Sequence, residues 1–138
     1  MKRFLDAQQR DYATALAEIK IGRKRSHWMW YIFPQLAGLG YSDIPKRYAI
    51  RDREEAIAYL NHPILGKRLS AISQALLILP GNNATQIMGS PDNMKLRSAM
   101  TLFALLPDAD PVFEAVLKKF FDSEKDPATI QLLSYQHD

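Results

Sequence analysis

Apolar residues recur at helical spacing along most of this chain, and no stretch alternates convincingly with a period of two. Leu5, Tyr12, Leu16 and Ile19, with Ala15 beside them, define the buried face of a first helix over 3–21. Gln8 falls on that face, and Gly22 supplies the C-terminal cap. A dense run follows, Ser26-His27-Trp28-Met29-Trp30-Tyr31-Ile32-Phe33-Pro34-Gln35. It predicts a short helix over 27–33, with Ser26 as N-cap and Pro34 as its stop. Nearly every side of that helix is bulky and apolar, which makes it central and surrounded.

Residues 35–44 form a loop whose glycines, Gly38 and Gly40, serve turns. No strand precedes it and no Lys-Ser/Thr pair follows, so it is not a phosphate loop. Ser42 starts a short helix through Tyr48, and Asp52 with Glu55 forms a capping box for the next. Asn61-His62-Pro63 breaks that helix, with His62 a turn residue and Pro63 near the first position of a helix running to Leu79. Its apolar face is Leu65, Leu69, Ile72, Leu76 and Leu79. Asn83 caps a one-turn helix ending at Gly89, and Ser90-Pro91 opens another to about Leu106. Val112 to Phe121 and a last short segment from Asp126-Pro127 to about Leu133 complete the set. The pattern predicts an all-α fold of about seven uneven helices, in a single domain over 1–134 with a frayed tail at 135–138.

Composition narrows the chemistry. The chain has no cysteine, which removes disulfides, cysteine-ligated metals and a cysteine nucleophile. His27, His62 and His137 are far apart and lack metal-ligand spacing, so no metal and no cofactor is expected. No apolar run approaches the roughly 20 residues that span a bilayer, and the N-terminus turns polar at once. The expectation is a soluble, cytoplasmic protein with no membrane partner. Charge is uneven: residues 1–70 carry thirteen Lys/Arg against seven Asp/Glu, whereas residues 71–138 carry five against eight. The N-terminal half therefore has a field that attracts anions.

Two regions carry candidate chemistry. Arg23, Lys24 and Arg25 precede the aromatic helix, whose free N–H groups and dipole favour negative charge. Trp28 or Trp30 could stack on a flat ring, and a neutral His27 in the first turn is the first candidate for acid–base work. The plain alternative is a capped helix end beside an aromatic core. The second region is a polar stripe, Asp92, Lys95, Ser98 and Thr101, along one side of its helix. A lysine and two hydroxyls could face a pocket or form a Ser–Lys pair, although no Gly-x-Ser-x-Gly elbow is present.

Several stretches resemble a known family: Gly22-Arg23-Lys24, Ser26 through Trp30, Phe33-Pro34-Gln35, His62-Pro63 with Leu65-Gly66, and Asp92 with Lys95-Leu96 and Ser98 to Phe103. The resemblance is to the small bacterial and fungal proteins grouped as domain of unknown function 1810, and it covers about residues 3–133. It implies an all-α fold and no established activity. The calpastatin label sometimes attached to such proteins describes a long disordered inhibitor, whereas this composition and patterning describe a compact fold. The shared motif includes polar residues of both candidate regions, which implies a common pocket.

The resulting expectation is a pocket for a small anionic ligand, a nucleotide or phosphorylated metabolite. It would be lined by Gln8, Arg23, Lys24, His27, Trp28, Trp30, Gln35, Asp92 and Lys95. The alternative is an interaction module without catalysis, whose basic turn meets an acidic protein partner. Nucleic acid is the weakest reading, because the basic cluster is short and the run after it is too apolar to lie exposed. No reaction, ligand identity or oligomeric state follows from the sequence.

Overall fold

Prolines, glycines and short polar capping residues cut the chain into helices of very unequal length. The computed structural model describes residues 1–39 and 46–136. Among them are eight α-helices: α1 Lys2–Ile21, α2 Met29–Ile32, α3 Arg53–Asn61, α4 Leu65–Ile78, α5 Ala84–Met88, α6 Asp92–Ala104, α7 Pro111–Phe121 and α8 Pro127–Ser134. The expected start of a helix at Ser42 lies outside the described residues; its end, Lys46–Tyr48, is a single 3₁₀ turn. The architecture is all-α, with one isolated parallel bridge, Leu36 to Ile50, among the described residues.

Most helix ends follow local rules. Gly22 closes α1 in the left-handed region at φ 89°, where its N–H reaches back to the Glu18 and Ile19 carbonyls. Asn83 caps α5 by accepting from the Gln86 N–H, and Asp110 caps α7 by accepting from Val112. Asp52 accepts the Glu55 N–H, but the Glu55 carboxylate takes the Arg51 N–H and the Arg3 guanidinium instead of closing a reciprocal box.

Two starts differ from expectation. α4 is regular only from Leu65, two residues after Pro63, and the His62 imidazole caps the turn that leads into it: Nδ1 accepts from the N–H groups of Ile64 and Leu65 at 3.1 and 3.2 Å. The aromatic helix shrinks to Met29–Ile32, and its N-cap is Trp28 with no side-chain bond. Ser26 does not cap it, because its hydroxyl donates to Glu18, a charged and therefore stronger acceptor.

A continuous core runs through α1, α3, α4, α6 and α7. Phe4, Tyr59, Phe103 and Phe113 form an aromatic line across it, with ring centroids 5.1, 5.5 and 5.9 Å apart. All four are fully buried. Each such side chain contributes about 1.5–3 kcal/mol through lost apolar surface. Gly66 lets α3 and α4 approach: a Cβ there would lie 2.0 Å from the Leu60 carbonyl oxygen. At the far end, Lys119 of α7 donates to the last carbonyls of α4, those of Leu76, Leu77 and Leu79. No described helix is long and apolar enough to cross a membrane.

Candidate functional site

The aromatic segment is positioned by a residue the sequence pattern does not mark. Glu18, one turn before the end of α1, accepts from the Arg25 N–H, the Ser26 N–H, the Ser26 hydroxyl and the Trp28 indole N–H at 2.6–2.9 Å. Partial burial pushes this carboxyl up, but the donors at Ser26, Arg25 and Trp28 outweigh it and bring it down to about 2. The anion held by the basic turn is therefore the protein's own carboxylate. A signal existed only in hindsight, since a glutamate near a helix end has many common roles.

With the turn held, Lys24 is aimed inward. Its main-chain N–H donates to the Ile87 carbonyl of α5. Its ammonium donates to the Ser26 carbonyl at 2.6 Å, lies 3.0 Å from Asp92 Oδ2, and sits 5.1 Å from the Trp28 ring centroid. Asp92 opens α6, and its other oxygen is 3.5 Å from Lys95 Nζ. The Lys95 ammonium in turn lies 5.2 Å from the Trp30 ring centroid. The result is a chain of five side chains, Trp28–Lys24–Asp92–Lys95–Trp30, in which each cation covers an indole and one carboxylate bridges both.

The lysine side chains are 8% and 3% exposed, against 19% for Asp92. One partly exposed carboxylate thus draws two nearly buried cations together. Buried polar atoms with no partner also occur, one of them on the Trp30 ring that Lys95 covers. Among the described residues, Trp30 Nε1 and both amide atoms of Gln35 are buried without a hydrogen-bond partner. Such groups are rare in folded proteins, because each retains its desolvation penalty. Two further orphans, Asn93 Oδ1 and Arg97 Nε, lie one turn apart on α6, around the helix from Lys95.

The structure thus brings together Lys24, Trp28, Trp30, Asp92 and Lys95. Trp28 is 1% exposed and covered by Lys24, which leaves no face for a ligand and corrects its expected stacking role. Gln8 has its amide hydrogens committed to the Tyr31 carbonyl and the Tyr59 hydroxyl, both at 2.8 Å, so it joins α1 to α2 and α3. Arg23 and His27 lie exposed, and among the described residues their side chains make no hydrogen bond. The Tyr31 hydroxyl donates to Asp11 and lies 3.2 Å from the His27 carbonyl. No general acid–base pair is assembled around the His27 imidazole among the described residues.

The polar stripe on α6 divides. Asp92 and Lys95 face the basic turn, while Ser98 and Thr101 hold α8. Ser98 donates to Asp126 Oδ2 at 2.8 Å, the Asp126 N–H donates to Thr101, and Thr129 completes the network. The Ser98 hydroxyl is thereby committed to a carboxylate, which gives it an anchoring role in place of a nucleophilic one. No group of His, Asp and Glu able to hold a metal occurs among the described residues. Among the described residues, surface clefts lie elsewhere. One, of about 630 Å³, adjoins His62, Lys67 and Asp108, and another, of about 380 Å³, adjoins Ile21, Leu79 and Gln86.

The same set of elements occurs in a solved structure. The crystal structure of the conserved hypothetical protein Rv1873 from Mycobacterium tuberculosis superimposes with a TM-score of 0.92 at 45% sequence identity, covering 96% of this chain and 95% of that one. No curated protein matches the sequence. The family model described as "Protein of unknown function (DUF1810)" matches residues 1–133. The aromatic segment, the basic turn before it and the Asp92–Lys95 edge all lie inside that span, and this chain belongs to the DUF1810 family.

Proposed function

We propose that the chain binds a small anionic ligand, a nucleotide or a phosphorylated metabolite, where the exit of α2 meets Lys95 of α6. One observation supports the reading: two nearly buried lysines meet at Asp92 beside Trp30, and the Trp30 indole N–H is buried with no hydrogen-bond partner. An incoming anion meets two lysine ammoniums there, and its acceptor atoms satisfy the buried Trp30 indole N–H. Trp30 is the partly exposed indole of the two and the one able to meet a ring.

The test is thermal unfolding with a panel of phosphorylated metabolites and nucleotides. A ligand that binds only the folded state raises Tm with concentration, equivalent to about 2.7 kcal/mol at a hundred times its Kd. The rise is expected in wild type and is lost in Lys95→Met. A flat response across a broad anionic panel refutes the assignment.

A second reading rests on a different surface. Arg23, Arg25 and Ile21 are exposed together at the end of α1, with Ile21 at 76%. An acidic protein partner with an apolar contact would fit there. Co-purification of such a partner, abolished by Arg23→Ala with Arg25→Ala but not by Lys95→Met, favours this reading over ligand binding.

A further inference from the structure

α1 and α4 end side by side, and each ends on an exposed isoleucine. Ile21 closes α1 at 76% exposure and Ile78 closes α4 at 77%, the two most exposed large apolar side chains among the described residues. A Cβ on Gly22 would stand 3.7 Å from the Leu79 side chain, so the residues after the two isoleucines are within reach of one another. Between these helix ends and α5 lies the cleft of about 380 Å³. Leu79 and the buried Ile87 give it an apolar floor, Ile21 stands at its lip, and Asn82 and Gln86 bring exposed amides to its rim.

The charge around this cleft has one sign. No Asp or Glu occurs from Ile19 to Phe33 or from Ile64 to Pro91, the two stretches that supply every lining residue. The carbonyl end of α4, which would repel an acid, is covered by the Lys119 ammonium, donating to Leu76, Leu77 and Leu79. The basic turn runs along the rim. Gly22 lines the cleft, and the Lys24 N–H donates at 2.8 Å to the carbonyl of Ile87, which lines it too. Arg23 therefore sits between two rim positions with its side chain exposed, and Arg25 is exposed two residues on. Glu18, the acid nearest to them in sequence, is occupied by donors of the turn itself.

An apolar hollow beside exposed arginines fits a ligand that is acidic and apolar at once. A nucleic acid lacks the apolar group, and no aromatic ring lines the cleft to stack a base. A peptide supplies both parts. One apolar side chain enters the hollow, and carboxylates beside it meet the guanidiniums. The peptide main-chain N–H and C=O groups pair with the acceptors and donors of the Asn82 and Gln86 amides.

We propose that the cleft between α1, α4 and α5 is a docking socket for an acidic peptide segment anchored by one apolar side chain. This rests on the acidic-partner reading above and deepens it: the partner docks a short linear segment into a concavity, with Arg23 and Arg25 reading the acids that flank the anchor.

The experiment pans a displayed random peptide library on the full wild-type chain. Recovered peptides are then labelled and titrated by fluorescence anisotropy. The variants are Arg23→Gln with Arg25→Gln, Ile21→Ser, and Asn82→Trp, which fills the mouth of the cleft. All four positions are exposed, and an unchanged Tm confirms that each variant folds. The recovered peptides should carry Asp or Glu beside one apolar residue, bind more weakly as salt rises, and lose affinity by about tenfold or more in Asn82→Trp and in the double arginine variant. Acidic peptides that need the arginines but bind Ile21→Ser and Asn82→Trp as they bind wild type overturn the socket and leave the acidic-partner reading standing. Anionic vesicle binding or self-association that Asn82→Trp abolishes, with no acidic peptide recovered, gives the cleft another occupant and overturns the proposal. Failure to recover acidic peptides, or binding indifferent to the arginines, overturns both.

Discussion

Lys24 Nζ and Asp92 Oδ2 lie 3.0 Å apart, joining the turn after α1 to the first residue of α6. The contact links two segments far apart in sequence, and Asp92 is at the same time 3.5 Å from Lys95. One carboxylate therefore serves two nearly buried cations, and its removal takes a counter-charge from each.

For that reason Asp92→Asn is expected to destabilise the fold by about 2–4 kcal/mol, the partial exposure of Asp92 keeping the loss toward the low end of the range for broken buried pairs. The variant also gains positive charge at the cluster. Added phosphate should then raise its Tm more than that of wild type. Chemical denaturation with and without phosphate reads both effects, and an equal phosphate response in the two proteins argues against an anion site at the cluster.

Glu18 predicts a pH dependence. Its carboxyl is held at about 2, below its ordinary value of 4.5. A carboxyl depressed in the folded state gives stability that is fully present above the unfolded value and is lost as pH falls through the folded one. The contribution should therefore fade between about pH 4.5 and 2. Glu18→Gln keeps the shape but weakens the charge-assisted bonds to Ser26, Arg25 and Trp28, so its Tm should lie below wild type at pH 7 and converge with it toward pH 2. Unfolding followed by tryptophan fluorescence across that range measures the convergence.

Gly66→Ala should be among the most damaging small substitutions. The new methyl group would stand 2.0 Å from the Leu60 carbonyl oxygen, a main-chain atom that cannot rotate away. Separating α3 from α4 should cost about 3 kcal/mol or more, at the upper end of overpacking effects. Equilibrium denaturation gives the value, and a loss below 1 kcal/mol would show that the two helices separate easily.

His62 is expected to behave as a helix cap. His62→Ala removes the acceptor for the Ile64 and Leu65 N–H groups and should cost about 1 kcal/mol, whereas His62→Asn restores an acceptor and most of the stability. A similar loss in both variants would point to packing in place of capping.

Local chemistry determined much of this protein. The helical period of its apolar residues gave the all-α class, and Gly22 and Asn83 marked helix ends correctly, because capping bonds reach only two to four residues along the chain. The shared motifs pointed to a common pocket for the basic turn and the Asp92–Lys95 edge, and the folded chain brings Lys24 into direct contact with Asp92 at 3.0 Å. Only the folded structure showed that Glu18 fills the basic turn, that Gln8 belongs to Tyr31 and Tyr59, and that Ser98 and Thr101 serve α8 instead of a pocket. The physical reason is the same in each case. A polar side chain on a buried face must find a partner, the sequence states that need, and the partner is whichever group the packing of distant helices brings within about 3 Å.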